Sequence, residues 1–418
     1  MTTLLAVGDL HLGRIPSALH PDLLARASEL GPEAAWSRAV TEAIDRQVDA
    51  VLLAGDVVER SRDVLVAYGD LKNGIDKLTT AGIRVLAVAG NHDTLVLPRL
   101  AQEIPDLDLL GANGRWQEKS VGKLTVAGWS FPRPQVRSSP LKDFPRVTDP
   151  ERVIGLLHCD RDQADSPYAP VSSADLEAAP TAAWLLGHIH QPDDLSGPRP
   201  IGYLGSVTAL RASETGPRGP WLLRWTGTAI EMQHIPLAPL RFERVSVDVS
   251  DLEDPGQLAE AILGCGRDLS RHVAAAERLP EVIGMRITLT GRCRFERELP
   301  AAATQLLNES RPWKERGIVL FVQKISIETE INLDLEELAN QSDPCGLLAR
   351  RLLLLRDRAG PDYRRLLDQA RLKLGRISGL REFQALDAEL DDAEVHDWLQ
   401  RAGQRALIEL VAQRRGKR

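Results

Sequence analysis

The chain is 418 residues long, and at about 150 residues per domain that length points to two or three domains rather than one. Hydrophobic residues make up 43% and charged residues 27%, the balance of an ordinary globular chain, which excludes disordered, collagen-like and coiled-coil classes. A formal charge of -7 argues against a broad basic coat for nucleic acid, and 4 scattered cysteines with no CxxC pair argue against a disulfide framework or a thiolate zinc site.

In chain order, residues 4–7, 32–48, 50–54, 64–80 and 83–89 alternate short apolar runs with amphipathic stretches, which predicts strand, helix, strand, helix, strand. Further buried strands are expected at 107–110, 124–129, 153–157 and 184–186. Residues 201–204, 221–225 and 229–235 follow without long helices between them, which predicts antiparallel pairing. These elements read as one α/β domain over 1–235, closed by Pro236 and Pro239.

A smaller α+β domain is expected over 240–335, with strands at 242–249, 282–289 and 318–328 and helices at 255–276 and 295–309. The region 346–418 reads as helical throughout, at 347–358, 363–374, 380–390 and 395–414, punctuated by Pro361, Gly375 and Gly379. It is locally basic, with 16 Lys and Arg against 11 Asp and Glu. In its last helix Val395, Trp398, Leu399, Ala402, Ala406, Leu410 and Gln413 form a mostly apolar stripe, which must pack on its own domain or on a partner. No apolar run approaches the roughly 18 residues that span a bilayer, and Met1-Thr2-Thr3 lacks the basic start of a secretory signal. The expectation is a soluble, cytoplasmic protein without membrane contact.

The chemistry-bearing residues stand where predicted strands end: Gly8-Asp9-Leu10-His11, Gly55-Asp56, Gly90-Asn91-His92-Asp93, His158-Cys159-Asp160 and Gly187-His188-Ile189-His190. Such strand ends converge on one crevice in α/β sheets, so residues distant in sequence meet in space. Asp9, His11, Asp56, Asn91, His158, His188 and His190 suit two neighbouring divalent metals. Imidazole with carboxylate and amide oxygen favours manganese, iron or zinc over magnesium or calcium. A carboxylate from Asp56 could bridge both ions, so that a shared water ionises near neutral pH and attacks phosphorus. His20, His234, His272 and His396 have no such company and read as structural, and Cys159 reads as a small buried residue rather than a nucleophile.

This set of motifs resembles the calcineurin-like metallophosphoesterase superfamily over residues 1 to about 235. The resemblance implies a four-layer αββα double sheet with two metals at the strand ends. It implies that Asp9, His11, Asp56 and His190 ligate one ion and Asp56, Asn91, His158 and His188 the other. It also makes His92 a catalytic, non-ligand histidine that protonates the leaving oxygen or stabilises phosphate charge, with Asp93 orienting it through a hydrogen bond.

Val7-Gly8-Asp9-Leu10-His11-Leu12-Gly13, Gly90-Asn91-His92-Asp93, the length and the small following domain look like the SbcD and YhaO type of DNA repair exonuclease subunit. That likeness implies a capping domain and a C-terminal helical element that docks on the coiled-coil base of an SMC-like ABC ATPase, with DNA as substrate and a homodimer as one assembly. Some family members carry a second catalytic histidine three residues after the bridging aspartate, where this chain has Glu59 followed by Arg60. The run Asp56-Val57-Val58-Glu59-Arg60 is also similar to one in protein serine/threonine phosphatases, although Ser61 and Asp93 depart from their pattern. A protein or small-molecule phosphatase, or a non-catalytic interaction protein, therefore stays open beside the nuclease.

Overall fold

The computed structural model describes residues 2–274, 278–331, 335–378 and 392–415. Strands β1 (Thr2–Val7), β2 (Ala50–Ala54) and β3 (Arg84–Val88) are apolar runs buried on both faces, as parallel strands covered on each side must be. Helices α1 (Pro32–Asp45) and α2 (Val64–Thr80) make the parallel crossovers between them. After α3 (Leu97–Glu103) and β4 (Leu107–Leu109) come β5 (Gln117–Val121), β6 (Leu124–Trp129), β7 (Val153–His158), α4 (Ser173–Ala178), β8 (Ala183–Gly187) and β9 (Ile201–Tyr203). Then follow β10 (Trp221–Trp225) and β11 (Ile230–His234). One sheet runs in the order β11-β10-β1-β2-β3-β4 and a second in the order β5-β6-β7-β8-β9.

Alternation along β1 explains the layering. Leu5 and Val7 join Val51, Leu53, Val85 and Ala87 in a core with Trp36, Val40, Leu71 and Ile75 of α1 and α2. Leu4 and Ala6 point the other way, packing with Leu52, Leu86, Val126, Ile154, Leu156 and Leu185 between the sheets. On the far face of the second sheet, Leu157, Trp184 and Leu186 meet Phe131, Leu176 of α4 and the segment around Val171. The result is helix, sheet, sheet, helix, with a thin fourth layer because α4 has only 6 residues.

Two readings of the sequence are corrected here. β9 pairs with β8 in parallel, whereas only β10 and β11 take the expected antiparallel partners. The loop from His188 to Pro200 returns the chain to the start of the sheet without a helix, so helix absence was a poor guide to direction. β5 was not foreseen, because as an edge strand of sequence QEKSV it carries a polar, exposed pattern.

Farther on are β12 (Leu240–Asp248), α5 (Leu258–Val273), β13 (Val282–Thr290), β14 (Arg292–Cys293), α6 (Leu299–Glu309), β15 (Trp313–Glu315), β16 (Ile318–Ile327) and β17 (Glu330–Ile331). They give a four-stranded sheet, β12-β13-β16-β15, and a small β14-β17 pair. By compactness, Leu263–Ile287 and Glu309–Ile325 group with Met1–Val245, while Ser246–Ile262, Thr288–Asn308 and Ser326–Arg418 form a second unit. Within the first unit Phe242, Val282 and Phe321 pack with Leu23, Leu30, Ala209 and Ala212. There Glu281 also receives Arg26 at 2.7 Å and Arg38 at 2.5 Å.

In the second unit α7 (Leu335–Ala339), α8 (Pro344–Asp357), α9 (Pro361–Ser378) and α10 (Asp392–Arg415) follow in turn. The predicted helix at 380–390 lies outside the described residues. α8 starts earlier than expected because Asp343 caps it, accepting from Gly346 N at 2.9 Å, with Pro344 at the first helical position. The stripe foreseen on α10 is rotated: Leu399, Leu407, Leu410 and Val411 pack on Cys345, Ala349, Leu352 and Leu355, whereas Trp398 is 56% exposed and Ala402 and Ala406 face solvent. Among the described residues no helix is long and apolar enough to cross a membrane.

Candidate metal centre

All five motif segments lie at or just past the C-terminal ends of β1, β2, β3, β7 and β8, and those strands run parallel within their sheets. The backbone there is strained, with positive φ at Asp9 (39°), His11 (49°), Asp56 (47°) and His188 (108°). Two ties hold the first loops together, His11 N to Asp56 O at 2.8 Å and Leu12 N to Val57 O at 2.9 Å. Glycine is required at two neighbours. A Cβ on Gly90 would collide with the Asp56 carboxylate and lie 2.6 Å from its backbone nitrogen, and one on Gly55, at φ +89°, would lie 2.5 Å from His158 Nδ1.

All seven expected ligands meet here. Nε2 of His11 and Nε2 of His190 face each other at 3.1 Å, and Asp9, His11 and His190 offer ligand atoms within 4.8 Å of one another. Asp56, His158 and His188 form a second such cluster. Asn91 Oδ1 reaches into it, 3.0 Å from His158 Nε2 and 3.2 Å from His188 Nδ1. Asp56 Oδ2 stands between the clusters, 3.4 Å from His158 Nε2 and 3.9 Å from His11 Nε2. Asp9, His11, Asp56 and His158 are almost wholly buried, and Asp9 Oδ2 has no hydrogen-bond partner among the described residues. Buried acceptors converging with too few protons between them are what a pair of divalent cations satisfies, so the donor set fits the expected metals.

The charges reinforce one another. Burial by itself would raise the pKa of Asp56, but His158 and then His11 overcome it and hold the carboxyl well below its usual range. Burial opposes protonation of His158, yet Asp56 pushes that imidazole up, while burial and then the charge of His158 push His188 down. Asp93 is pushed up by burial and then by Asp56, against the pull of two backbone amides.

One role differs from expectation. Asp93 does not orient the His92 ring: its carboxylate accepts from Gly90 N and Val57 N, each at 2.7 Å, and so braces the two loops. The group facing His92 Nδ1 is instead the carbonyl of Glu59, at 3.1 Å. His92 itself is exposed, and its backbone N–H donates to Asp56 Oδ1 at 3.0 Å.

The residues behind the ligands were given no role from the sequence. Glu59 Oε2 lies 2.8 Å from His11 Nδ1, and although burial opposes it, that contact draws the carboxyl down to about 2. Glu214 Oε1 lies 2.8 Å from His190 Nδ1, and Asp160 Oδ1 lies 3.3 Å from His188 Nε2. Arg218, 1% exposed, donates to the carbonyl of His190 and to Gln191 Oε1 at 2.9 Å. Asp160 stood inside a quoted motif, two residues after His158; Glu214 and Arg218 sit in an irregular segment with no spacing that marks them. Cys159 is buried, and burial pushes its thiol far up, which fits the packing role read for it.

Residues 2–192 match the family of calcineurin-like phosphoesterases, so that stretch of the chain is homologous to the metallophosphoesterases. More particularly, residues 242–330 match the middle domain of metallophosphoesterase YhaO. The chain is 28% identical to the uncharacterized metallophosphoesterase YhaO of Bacillus subtilis, over 53% of this chain and 57% of that protein. It is 26% identical to the DNA double-strand break repair protein Mre11 of Methanosarcina mazei, over 53% of this chain and 37% of that one. The matched region thus spans about half or less of these relatives. A dimetal phosphatase from Danio rerio superposes with a TM-score of 0.36 at 12% identity, covering 56% of this chain and 95% of that one.

Proposed function

We propose that residues 1–235 form a two-metal-dependent phosphodiesterase acting on DNA, a repair nuclease subunit of exonuclease or endonuclease type. The observation that carries the reading is the convergence of seven donors on two positions that share Asp56, with Asp9 Oδ2 buried and unpartnered beside them. Asp9, His11, Asp56 and His190 would hold one cation, and Asp56, Asn91, His158 and His188 the other. Bound there, two divalent ions, manganese before iron or zinc, would make a water acidic enough to ionise near neutral pH and offset charge on the phosphate.

The chain's own groups do the rest. His92, with Nδ1 engaged by the Glu59 carbonyl, turns Nε2 elsewhere and is placed at the exposed side to hold a proton for the leaving oxygen. Asp93 keeps the β2 and β3 loops in register, so that Asp56 and Asn91 stay at their positions.

The similarity to proteins named for DNA double-strand break repair supports DNA as the substrate, and we read the chain as cytoplasmic on the same ground. The match to a YhaO middle domain supports 240–335 as a capping domain. We read 346–418 as the helical element that docks an SMC-like ABC ATPase, with a homodimer as the assembly. The test is degradation of linear DNA and of bis-p-nitrophenyl phosphate by purified protein with and without manganese. Manganese-dependent loss of both is expected, and dephosphorylation of a phosphoprotein with no DNA cleavage would turn the reading toward a phosphatase.

A further inference from the structure

Each of the four candidate ligand histidines has its second ring nitrogen against a defined acceptor, and the acceptors are unequal. His11 Nδ1 and His190 Nδ1 are each 2.8 Å from a carboxylate oxygen, of Glu59 and Glu214 respectively, the first as an ion-pair contact outside hydrogen-bond geometry and the second as a hydrogen bond. The two imidazoles that face each other through Nε2 are thus both backed by negative charge. Around Asn91 the backing is weaker: His158 Nδ1 meets the neutral carbonyl of Ala54 at 3.1 Å, and His188 Nε2 lies 3.3 Å from Asp160. The donors differ in the same sense, since Asp9 serves the first position where the uncharged Asn91 serves the second.

A carboxylate behind an imidazole fixes which nitrogen carries the proton, aims the other lone pair, and strengthens it as a donor. Both carboxylates are themselves held. Arg14 Nη1 donates to Glu59 Oε2 at 3.3 Å, and Leu210 N donates to Glu214 Oε2 at 2.7 Å. Neither can swing away without losing that second contact.

We propose that Glu59 and Glu214 are positioning residues that make the cation position lined by Asp9, His11 and His190 the tighter of the two, so that the centre fills in a fixed order. This rests on the two-cation reading above.

The test is titration of the full, chelator-stripped chain with Mn2+, followed by calorimetry and by the electron paramagnetic resonance signal of the free ion. The wild type should show two events about tenfold or more apart in affinity. Glu59→Gln and Glu214→Gln should each weaken the tighter event by about 10- to 100-fold and leave the weaker one unchanged, whereas Asp160→Asn should move the weaker event alone. Melting temperatures of the stripped variants separate loss of binding from loss of fold; should Glu214→Gln fail to fold, Glu59→Gln decides. Two wild-type events that ignore both Gln variants, or that weaken together, overturn the positioning role. No Mn2+ binding by the wild type overturns the two-cation reading itself, and this inference with it.

Discussion

Asp56 and His92 stand next to each other through one hydrogen bond, from His92 N to Asp56 Oδ1 at 3.0 Å, yet they should respond to substitution in opposite ways. Asp56 is buried between the two donor clusters, so Asp56→Asn removes the one charge both positions share. Equilibrium dialysis against Mn2+ should show lost occupancy, and hydrolysis of bis-p-nitrophenyl phosphate should disappear; full occupancy with normal turnover would defeat the assignment. His92 is exposed, with Nδ1 at the Glu59 carbonyl and its ring edge-on to His11 at 5.3 Å between centroids. His92→Ala should keep its metal while turnover falls by about 100-fold or more. Parallel loss of metal would make it a ligand. Asp9, Asp56, Asn91 and His188 each follow a glycine after an apolar run, which is a local signal in the sequence, and His11, His158 and His190 stand in or beside the same strand-end motifs. Glu214 was not, since its role exists only through contact with a residue 24 positions away.

At the scale of elements, packing overrides propensity in α2. Gly74 faces Trp36 of α1, and a Cβ there would lie 2.5 Å from Cε2 and 2.8 Å from Cζ2 of a ring that is 2% exposed. Alanine inside a helix gains about 1 kcal/mol over glycine, but overpacking a filled core costs about 1–3 kcal/mol. Gly74→Ala should therefore lower the melting temperature, and a rise would show that α1 and α2 can separate cheaply. The rotated face of α10 offers a paired test. Leu407, fully buried, should cost about 2–5 kcal/mol as Leu407→Ala. Trp398→Ala should leave thermal stability near the wild-type value, because that ring is 56% exposed, with Arg401 over it at 5.8 Å. Reversed effects would restore the stripe expected from spacing alone. That expectation went astray because Trp398, Ala402 and Ala406 keep helical spacing as well as the buried set does, and spacing cannot say which side meets α8.

For the molecule as a whole, the proposed partner and substrate can be separated from the chemistry. Every proposed ligand lies between Asp9 and His190, within the first compact unit. Deleting residues from 391 onward should leave hydrolysis of a small phosphate ester intact while co-purification with the ATPase is lost. Normal ATPase binding would move the docking element elsewhere, and unfolding would make α10 purely structural. If DNA is the substrate, binding should weaken steeply between about 50 and 200 mM salt, since counterions are released for each phosphate neutralised. Binding indifferent to salt would favour a small ester.

By itself, the sequence determined an α/β domain over 1–235 with polar motifs at its strand ends, because apolar runs, glycines and short polar residues act through their immediate neighbours; the αββα layering came only as what the family resemblance implied. Tertiary structure alone decided the direction of β9, the buried face of α10, and the bracing of Gly90 and Val57 by Asp93. It also decided the carboxylates behind His11 and His190. Each of these depends on which distant segment arrives alongside, and a contact between residues far apart in the chain leaves no periodic trace in either one.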